Sequence, residues 1–355
     1  MALSEASTGR AITWNGLNEL ADSFARGLSS AGLVGGYRVL LAMTNRIEFV
    51  AAYLGTLRAG LIAVPVNPRS ATGEMLRMIT DSGARLVVAD DTTITMVRAA
   101  VAGLGEAIAA SEEGEGRHLV SPRIVTTSAV AEQGEWPWEE FLRHEGDVPV
   151  GRPDPEATAV LLYTSGTSGR PRAAMLSHRA MLANIDQTSR LDPPMIQGQD
   201  VVLGVLPLFH VYGLNAVLGQ VMRRHARLVL VDQFDPEGVL DLIQDEAISV
   251  LPVAPVVFAH WMQTKGITDQ LEPVRLVLSG SAPLAPELGS AFTARTGLPI
   301  YQGYGLTEAS PVVTTTLSSS EPSPGSVGAA LPGIEIKLVE ESGLEPEGDD
   351  GGQIW

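Results

Sequence analysis

Short apolar runs of strand length alternate with amphipathic, helix-like segments along most of this chain. The first part contains RVLLAM (38–43), LIAVPV (61–66) and RLVVAD (85–90), and the segment between the first two has apolar residues at helical spacing. Further runs follow after residue 157: TAVLLYT (158–164), DVVLGVLPL (200–208), RLVLV (227–231), ISVLPVAP (248–255), VRLVLSG (274–280) and LPIYQGYG (298–305). Strands that are buried on both faces require such unbroken apolar sequence. The alternation therefore predicts an α/β fold of mostly parallel sheets with right-handed crossovers.

Two changes in amino-acid composition divide the chain. Residues 111–157 are acidic, rich in Gly and Pro and poor in periodic apolar positions, which is typical of connecting loops. After residue 316 the sequence changes again, to SSSEPSPGS and a short strand-like EIKLVE. We therefore predict a first α/β subdomain with connecting loops over 1–157, a second α/β subdomain that carries the functional sites over 158–316, and the start of a small β subdomain over 317–355.

The charge balance and the lack of cysteine exclude several functions. The 355 residues include 24 Lys and Arg against 41 Asp and Glu, a formal net charge of −17. Such a charge repels nucleic-acid backbones and anionic membranes, so we expect neither as a partner. Without cysteine there are no disulfides, thiol nucleophiles or cysteine metal sites, which fits a reducing, cytoplasmic setting. No apolar stretch is long enough to indicate an integral membrane segment.

A run rich in Ser, Thr and Gly follows the strand-like residues 158–164. Its hydroxyl, glycine and cationic residues are Thr164, Ser165, Gly166, Thr167, Ser168, Gly169 and Arg172. Open α/β sheets bind ligands at the carboxyl ends of their strands, and glycines let backbone N–H groups converge on an anion. The run lacks the Gly-Lys-Ser/Thr ending of a Walker A loop. Taken alone, it fits a phosphate-binding loop and a mobile surface loop equally well.

Two further stretches carry chemistry-bearing side chains. YGLTE (304–308) supplies an aromatic ring for stacking and a carboxylate, Glu308, that tolerates nearby phosphates only with a divalent cation between them. Without a ligand, the same stretch would be a strand end with an exposed glutamate. His210, at the edge of an apolar run, is either a core histidine or a site residue. The remaining histidines have no metal-ligand spacing: His118, His144, His178, His225 and His260.

Four motifs, together and in this order, resemble the adenylate-forming superfamily of acyl-CoA synthetases, luciferases and peptide-synthetase adenylation domains. They are YTSGTSGRPR (163–172), LPLFHVYGLN (206–215), SGSAPL (279–284) and YQGYGLTEASPVV (301–313). The second and fourth motifs are most similar to those of fatty-acyl-CoA synthetases, and the resemblance covers nearly the whole chain. It implies the large N-terminal domain of these enzymes: two doubly wound, mostly parallel sheets flanked by helices, with the beginning of a small β-barrel.

The resemblance also implies an activity and a set of site residues. Members of the superfamily activate a carboxylic acid with ATP and Mg²⁺, release pyrophosphate and form an acyl-adenylate, which acyl-CoA synthetases then transfer to CoA. By resemblance, the loop from Thr164 to Gly169, with Arg172, holds the β- and γ-phosphates. The other residues expected to contact the nucleotide are Gly280, Ser281, Ala282, Gln302, Gly303, Tyr304, Gly305 and Thr307, with the ring of Tyr304 on adenine and Thr307 on the α-phosphate.

Glu308 is expected to hold Mg²⁺, and the residues expected to be catalytic are Thr307, Glu308 and His210. The acid-binding residues are expected to be His210, Tyr212, Ala216 and Gly303.

The sequence departs from the superfamily pattern in two ways that affect activity. Arg172 and Ala173 stand where the superfamily loop has Lys and then Gly, and a planar guanidinium does not replace an ammonium point charge without effect. The chain ends at GGQIW (351–355), before a hinge and a C-terminal domain that carries the adenylation lysine, so we expect a fragment that binds ATP and acyl-adenylate but turns over poorly. Two alternatives stay open: an acyl-AMP ligase that loads an acyl carrier protein, and a non-catalytic nucleotide or acyl-adenylate binding module.

Overall fold

The computed structural model describes residues 1–104, 120–148, 154–164, 172–319, 323, 325–339 and 353–354. Its strands are β1 (Leu3–Glu5), β2 (Ala11–Ile12), β3 (Arg38–Ala42), β4 (Ile62–Pro65), β5 (Leu86–Ala89), β6 (Arg123–Thr126), β7 (Trp136–Pro137), β8 (Thr158–Thr164), β9 (Arg172–Ser177), β10 (Val201–Gly204), β11 (Arg227–Leu230), β12 (Val250–Val253), β13 (Leu276–Ser279), β14 (Ile300–Gly305), β15 (Val312–Thr315), β16 (Ala329–Ala330), β17 (Leu338–Val339) and β18 (Gln353–Ile354). Most of them lie where the sequence has short apolar runs.

Helices connect most of the parallel strands. They are α1 (Trp14–Ser30), α2 (Ile47–Arg58), α3 (Thr72–Ser82), α4 (Ile94–Ala102), α5 (Trp138–Phe141), α6 (His178–Ser189), a π-helix (Tyr212–Gly219), α7 (Gln220–Arg224), α8 (Pro236–Asp245), α9 (Pro255–Trp261), α10 (Ile267–Gln270) and α11 (Pro286–Thr296). Two short 3₁₀ turns span Thr307–Ala309 and Thr316–Ser318. Within the described ranges, no helix combines the length and the apolar composition that crossing a bilayer requires.

The strands form two large sheets and one small pair. A seven-stranded sheet has the order β7-β6-β5-β3-β4-β8-β9, and a nine-stranded sheet has the order β16-β15-β14-β13-β12-β10-β11-β1-β2. Pairing is parallel in the interior of both sheets, and β9, β15, β16 and β2 are antiparallel additions at the edges. β17 pairs with β18 in a separate antiparallel ladder. The predicted α/β fold of two mostly parallel, helix-flanked sheets is thus confirmed.

Sheet membership does not follow the boundary predicted at residue 157. β8 pairs with β4 through Val160 and Ala63, so residues 158–164 complete the first sheet rather than open the second. β1 pairs in parallel with β11, and Leu3 lies beside Leu228 in the nine-stranded sheet. The placements of β8 and β1 have the same physical reason. Each strand covers the open backbone edge of a neighbouring strand and packs its apolar side chains in the same core. The chain therefore crosses between the sheets at both ends of the predicted first subdomain.

Apolar side chains on the two faces of each strand enter different cores. In β3, Leu41 belongs to a large cluster that both sheets share with α1 and α2, whereas Leu40 belongs to a cluster on the outer face under α3 and α4. In β13, Leu276 lies in the shared cluster and Val277 in a third cluster under α8, α9 and α11. Successive residues of a strand point to opposite faces, so strands covered on both sides need the continuous apolar runs seen in the sequence.

A buried ionic network ties the loop after β3 to both sheets. Asp90 is fully buried and accepts hydrogen bonds from the backbone N–H (2.8 Å) and hydroxyl (2.9 Å) of Thr44. Burial alone would raise the pKa of Asp90, but hydrogen bonds from Thr92 and Thr44 and the nearby charge of Arg46 outweigh it and hold the pKa below its ordinary value of 3.8. From the other sheet, Glu5 accepts the N–H of Ile47 at 2.9 Å.

The Asp90→Asn substitution tests this network through pH. A carboxylate with a depressed folded-state pKa contributes stability that is fully present above its unfolded value of 3.8 and is lost as the pH falls through the lower folded value. We expect the free energy of unfolding in urea at neutral pH to fall by about 2 kcal/mol or more in Asp90→Asn, because buried donors lose their charged acceptor. The difference in the free energy of unfolding between wild type and Asp90→Asn should shrink below pH 4.

Asp91→Asn, at an exposed position that also pairs with Arg46, is the control and should change stability little. An Asp90→Asn curve parallel to wild type at every pH would contradict the assignment.

Candidate functional site

A cavity of about 520 Å³ opens at the carboxyl ends of β13 and β14, near the edge of the nine-stranded sheet. Segments that are far apart in sequence form its wall: 188–195, 210–212, 278–283, 301–308 and 311–315. Among the residues expected from sequence to form the site, it brings together Thr164, His210, Tyr212, Gly280, Ser281, Ala282, Gln302, Gly303, Tyr304, Gly305, Thr307 and Glu308. This location agrees with the rule that open α/β sheets bind ligands at the carboxyl ends of their strands.

The ring of Tyr212 lies directly against the backbone of Gly280. A methyl group added at position 280 would meet Cε1 of Tyr212 at 2.9 Å and its Cζ at 3.1 Å, closer than van der Waals contact allows. Burial raises the pKa of Tyr212, so the phenol stays protonated. Gly280 is therefore needed for the close approach of β13 to the π-helix, and the ring fixes one side of the cavity.

Tyr304, Thr307 and Glu308 lie on the β14–β15 hairpin, which closes the cavity on its other side. Tyr304 pairs with Thr314, and the ladder shifts register between Tyr304 and Gly305. A 3₁₀ turn follows over Thr307–Ala309, where Thr307 is half-buried and Glu308 is exposed. The turn places a hydroxyl and a carboxylate at the mouth of the cavity, next to the aromatic ring in the preceding strand.

His210 stands between this cavity and a second one of about 380 Å³. Thr164, His210, Val211 and Thr307 line both spaces. The second cavity extends toward the first sheet, where its wall includes Asn67 and other residues around the start of α3. Burial lowers the pKa of His210, so its imidazole is neutral near pH 7.

Some expected site residues are not in the cavity wall. Arg172 is exposed on β9, where its carbonyl accepts from the hydroxyl of Thr164 at 3.4 Å. Ala216 is 2% exposed within the π-helix and contributes to neither cavity. The remaining residues of the expected phosphate loop lie outside the described part of the chain: Ser165, Gly166, Thr167, Ser168 and Gly169.

Three buried asparagines that the motif analysis missed hold the cavity walls. Asn184 of α6 donates to the carbonyl of Val312 at 2.8 Å and accepts from its N–H at 3.2 Å. Asn215 donates to the carbonyl of Ser310 at 2.7 Å and to that of Met181 at 3.0 Å. Asn45 bonds the segment that precedes His210. A buried amide in an apolar run is the only sequence signal for such contacts, and it does not name the partner.

The described cavity wall is almost free of charge. Among its described residues Glu308 is the only carboxylate, and there is no Lys or Arg. The described part of the chain also contains no group of three or more His, Asp or Glu side chains that could hold a metal ion by themselves. A single carboxylate suits Mg²⁺, which proteins commonly bind through one or two carboxylates together with the phosphates of a substrate.

Removing one of these amides should destabilise the hairpin. We expect Asn184→Ala to lower the free energy of unfolding by about 1–3 kcal/mol, because the buried N–H and C=O of Val312 both lose their partner. Denaturation in urea measures the loss. Leu182→Ala, at an exposed position of the same helix, is the control for helix effects. Equal stability of the two variants would show that the hairpin does not depend on the amide.

Comparison with known proteins agrees with this geometry. The whole chain, residues 1–355, matches the model of the AMP-binding enzyme family. 4-Coumarate–CoA ligase 5 of Oryza sativa subsp. japonica is 30% identical over 365 residues, which are 99% of this chain and 64% of that protein. 4-Coumarate–CoA ligase 3 of Arabidopsis thaliana is 30% identical over 347 residues, 94% of this chain and 58% of that protein. The chain thus spans about three fifths of the length of these curated relatives.

Solved structures show the same fold. ATP-bound MatB from Rhodopseudomonas palustris superposes with a TM-score of 0.84 at 27% identity, over 99% of this chain and 66% of that one. The N-terminal domain of FACL13 from Mycobacterium tuberculosis superposes with a TM-score of 0.82 at 26% identity, over 98% of this chain and 82% of that one. On the match of its full length to the family model, this chain belongs to the AMP-binding enzyme family.

Proposed function

We propose that this chain binds ATP and a carboxylic acid and forms the part of an acid–CoA ligase in which the acyl-adenylate is made. The observation that carries the proposal is the single cavity in which residues 210–212, 280–282 and 302–308 meet. These segments come from three separate stretches of the chain, and each contributes a different kind of group. A ring, flexible backbone, a hydroxyl and a carboxylate converge on one space, as positioning a nucleotide next to an acid requires.

The nucleotide half of the cavity lies along β14 and the loop after β13. We propose that the ring of Tyr304 stacks on adenine, with residues 280–282 and 302–303 along the edges of the base. Stacking on an aromatic ring gives large contact area with any base. Thr307 then reaches the α-phosphate, and the loop from Thr164 to Arg172 holds the β- and γ-phosphates.

Glu308 is the residue that would hold Mg²⁺ together with the phosphates. A Mg²⁺ ion bound at Glu308 would offset the negative charge of the triphosphate and of the leaving pyrophosphate. The protein carries a net charge of −17, so attraction of ATP depends on local donors and this cation, not on the overall field.

The acid half of the cavity faces the π-helix and α6. In the reaction we propose, a carboxylate oxygen of the acid attacks the α-phosphorus, the bond from that phosphorus to the bridging oxygen breaks, and pyrophosphate leaves. Neutral His210 lies where an N–H can orient the acid, and Tyr212 and Gly303 bound the space beyond it. Approach in line with the leaving group is the main contribution that such a site makes.

The wall composition favours an acid with an uncharged body. Leu191, Met195, Val211, Leu278 and Val312 line the cavity, and its described wall has no cation to pair with a second carboxylate. An unpaired charge would be costly in this space. Fatty and aromatic acids both satisfy the requirement, and the names of the curated relatives favour an aromatic acid.

We further propose CoA as the acceptor in the whole protein. The second cavity supports this, because it shares Thr164, His210 and Thr307 with the first cavity and extends from them to Asn67 and Ser70. A thiol that enters there would meet the acyl carbon without displacing the nucleotide. An acyl carrier protein is the alternative acceptor, and a binding module without turnover is the alternative role.

Binding of acyl-sulfamoyl-adenosine mimics, which are stable analogues of acyl-adenylates, tests the proposal without the need for turnover. Thermal unfolding is followed for a series from acetyl to long-chain and aryl acids, with a dicarboxylic acid included. At one hundred times Kd, a mimic should stabilise the chain by about 2.7 kcal/mol. Uncharged acyl groups should bind, and the dicarboxylic mimic should bind at least about tenfold more weakly.

Variants locate the binding in the cavity. Tyr304→Ala and Thr307→Ala should each weaken the best mimic by about tenfold or more, because a stacking surface or a hydrogen bond to the sulfamoyl group that replaces the α-phosphate is lost. Thr268→Ala, on the short helix α10 away from the cavity, serves as the control and should bind as wild type does. No stabilisation by any mimic would reject the proposed function, and binding that survives both Tyr304→Ala and Thr307→Ala would place the site elsewhere.

Glu308→Gln tests the metal. Wild type should bind ATP more tightly as Mg²⁺ is added, and the variant should lose most of that enhancement because an amide binds Mg²⁺ far less well than a carboxylate. Calorimetric titration with ATP, with and without Mg²⁺, measures the difference. AMP binding should be the same in both proteins, and a Glu308→Gln variant that keeps the full Mg²⁺ effect would refute the role of Glu308.

A further inference from the structure

We propose that Asn45 is a positioning residue that sets the place of His210 in the cavity wall. Asn45 lies in the loop after β3, in the seven-stranded sheet, but its side chain bonds the segment after β10 of the other sheet. Its Nδ2 donates to the carbonyls of Gly204 at 3.0 Å and Leu206 at 2.9 Å, and its Oδ1 accepts from the N–H of Leu208 at 2.9 Å.

Only a carboxamide satisfies this contact. Two backbone carbonyls and one backbone N–H face the side chain of Asn45, a residue that is only 9% exposed. The side chain at position 45 must therefore offer two donors and one acceptor within one short group. Buried backbone groups without partners are costly, and a carboxylate would meet two carbonyl oxygens with no proton to share. A glutamine would carry the amide one methylene too far.

The segment that Asn45 holds leads directly into the site. His210 donates its backbone N–H to the carbonyl of Pro207 at 3.1 Å, and Leu214 in turn donates to the carbonyl of His210 at 2.9 Å. The turn at 207–210 therefore joins the bonded segment to the π-helix. Any displacement of residues 204–208 is carried to His210 and Tyr212, which line the acid half of the cavity.

The loop that carries Asn45 is itself fixed on both sides. Thr44 is bonded to buried Asp90, and Ile47 donates its N–H to Glu5 of β1 at 2.9 Å. Arg46 pairs with Asp91 at 2.9 Å. The amide is thus a short link between the sheets, and Asn45 lies outside the four sequence motifs that identified the site.

This inference rests on the proposed function and makes a selective prediction within it. The nucleotide half of the cavity is formed by β13, β14 and β15, none of which contacts Asn45 through a hydrogen bond. Loosening residues 204–212 should therefore disturb the acid half and spare the adenosine half. A residue with a general structural role would weaken both halves or neither.

The experiment compares two ligands in Asn45→Ala. AMP and the best acyl-sulfamoyl-adenosine mimic are titrated calorimetrically into wild type and variant. We expect Kd for the mimic to rise by about tenfold or more, a loss of about 1.4 kcal/mol, because the residues that contact its acyl group are no longer held in place. Kd for AMP should stay within about twofold, as expected for a distant and independent contact.

Ser249→Ala is the matched control. Ser249 bonds the opposite end of β10, where it donates to Asp200 at 2.9 Å and accepts from the N–H of Val201 at 3.2 Å. This substitution should reduce stability without separating the two ligands. Equal loss of mimic and AMP affinity in Asn45→Ala, or a similar selective loss in Ser249→Ala, would overturn the inference.

A second variant and a second readout keep the test decisive if Asn45→Ala folds poorly. Asn45→Asp keeps the shape, and its buried carboxyl, facing two carbonyls, should have a raised pKa. Its affinity for the mimic, relative to wild type at the same pH, should recover as the pH is lowered and the carboxyl gains a proton to donate. No recovery would count against the inference.

Hydrogen exchange is the second readout. Exchange of the backbone amides of residues 204–212 should be faster in Asn45→Asp than in wild type at neutral pH, and unchanged exchange would also overturn the inference.

The two proposals fail differently. If wild type binds no mimic, the proposed function is rejected, while exchange at the Leu208 amide still reports whether Asn45 holds the segment. If wild type binds the mimic and the Asn45 variants bind it equally well with unchanged AMP affinity, the positioning role is rejected and the proposed function stands.

Discussion

Packing of both sheets against the same pair of helices is the interaction on which the rest of the structure depends. Phe24 of α1 and Phe49 of α2 are fully buried in a cluster that also takes side chains from the interiors of the two sheets. Neither sheet can move away without exposing the apolar surface of the other, which is strongly unfavourable. The strand ends of one sheet are therefore fixed relative to the strand ends of the other. Only on such a frame can an amide in one sheet set the position of a histidine that follows the other.

The cavity combines two electrostatic conditions that a uniform surface could not provide. Most of the described cavity wall is uncharged, with apolar side chains such as Leu191, Met195 and Leu278, whereas Glu308 lies in the 3₁₀ turn next to the hydroxyl of Thr307. A strongly acidic protein that binds a polyanion needs donors and a cation close to the phosphates, because its long-range field is repulsive. On the proposed function, confining the one carboxylate of the described wall to the phosphate end leaves the remaining space to select acids by shape and by the absence of a second charge.

Local pattern predicted the strands well and their partners poorly. The runs 85–90 and 274–280 became β5 and β13, whose residues are all buried, because burial on both faces requires a continuous apolar sequence. The convergence of Tyr304, Thr307 and His210 was expected only from the resemblance of their motifs to the adenylate-forming superfamily. The placement of β1 beside β11 and the contact from Asn45 to residues 204–208 could not be predicted, because they join positions far apart in the chain. The sequence around a single buried asparagine does not indicate which backbone groups its side chain will bond.

The π-helix at Tyr212–Gly219 affects how related sequences are compared. Each of its turns holds more residues than an α-helical turn, so a relative that forms an ordinary α-helix here spans the same wall with fewer residues. An alignment that matches the two segments position by position would then pair a residue that faces the acid in one protein with a residue that faces the core in the other. Pocket residues transferred across this segment should be matched by their side-chain direction in space, not by their column in an alignment.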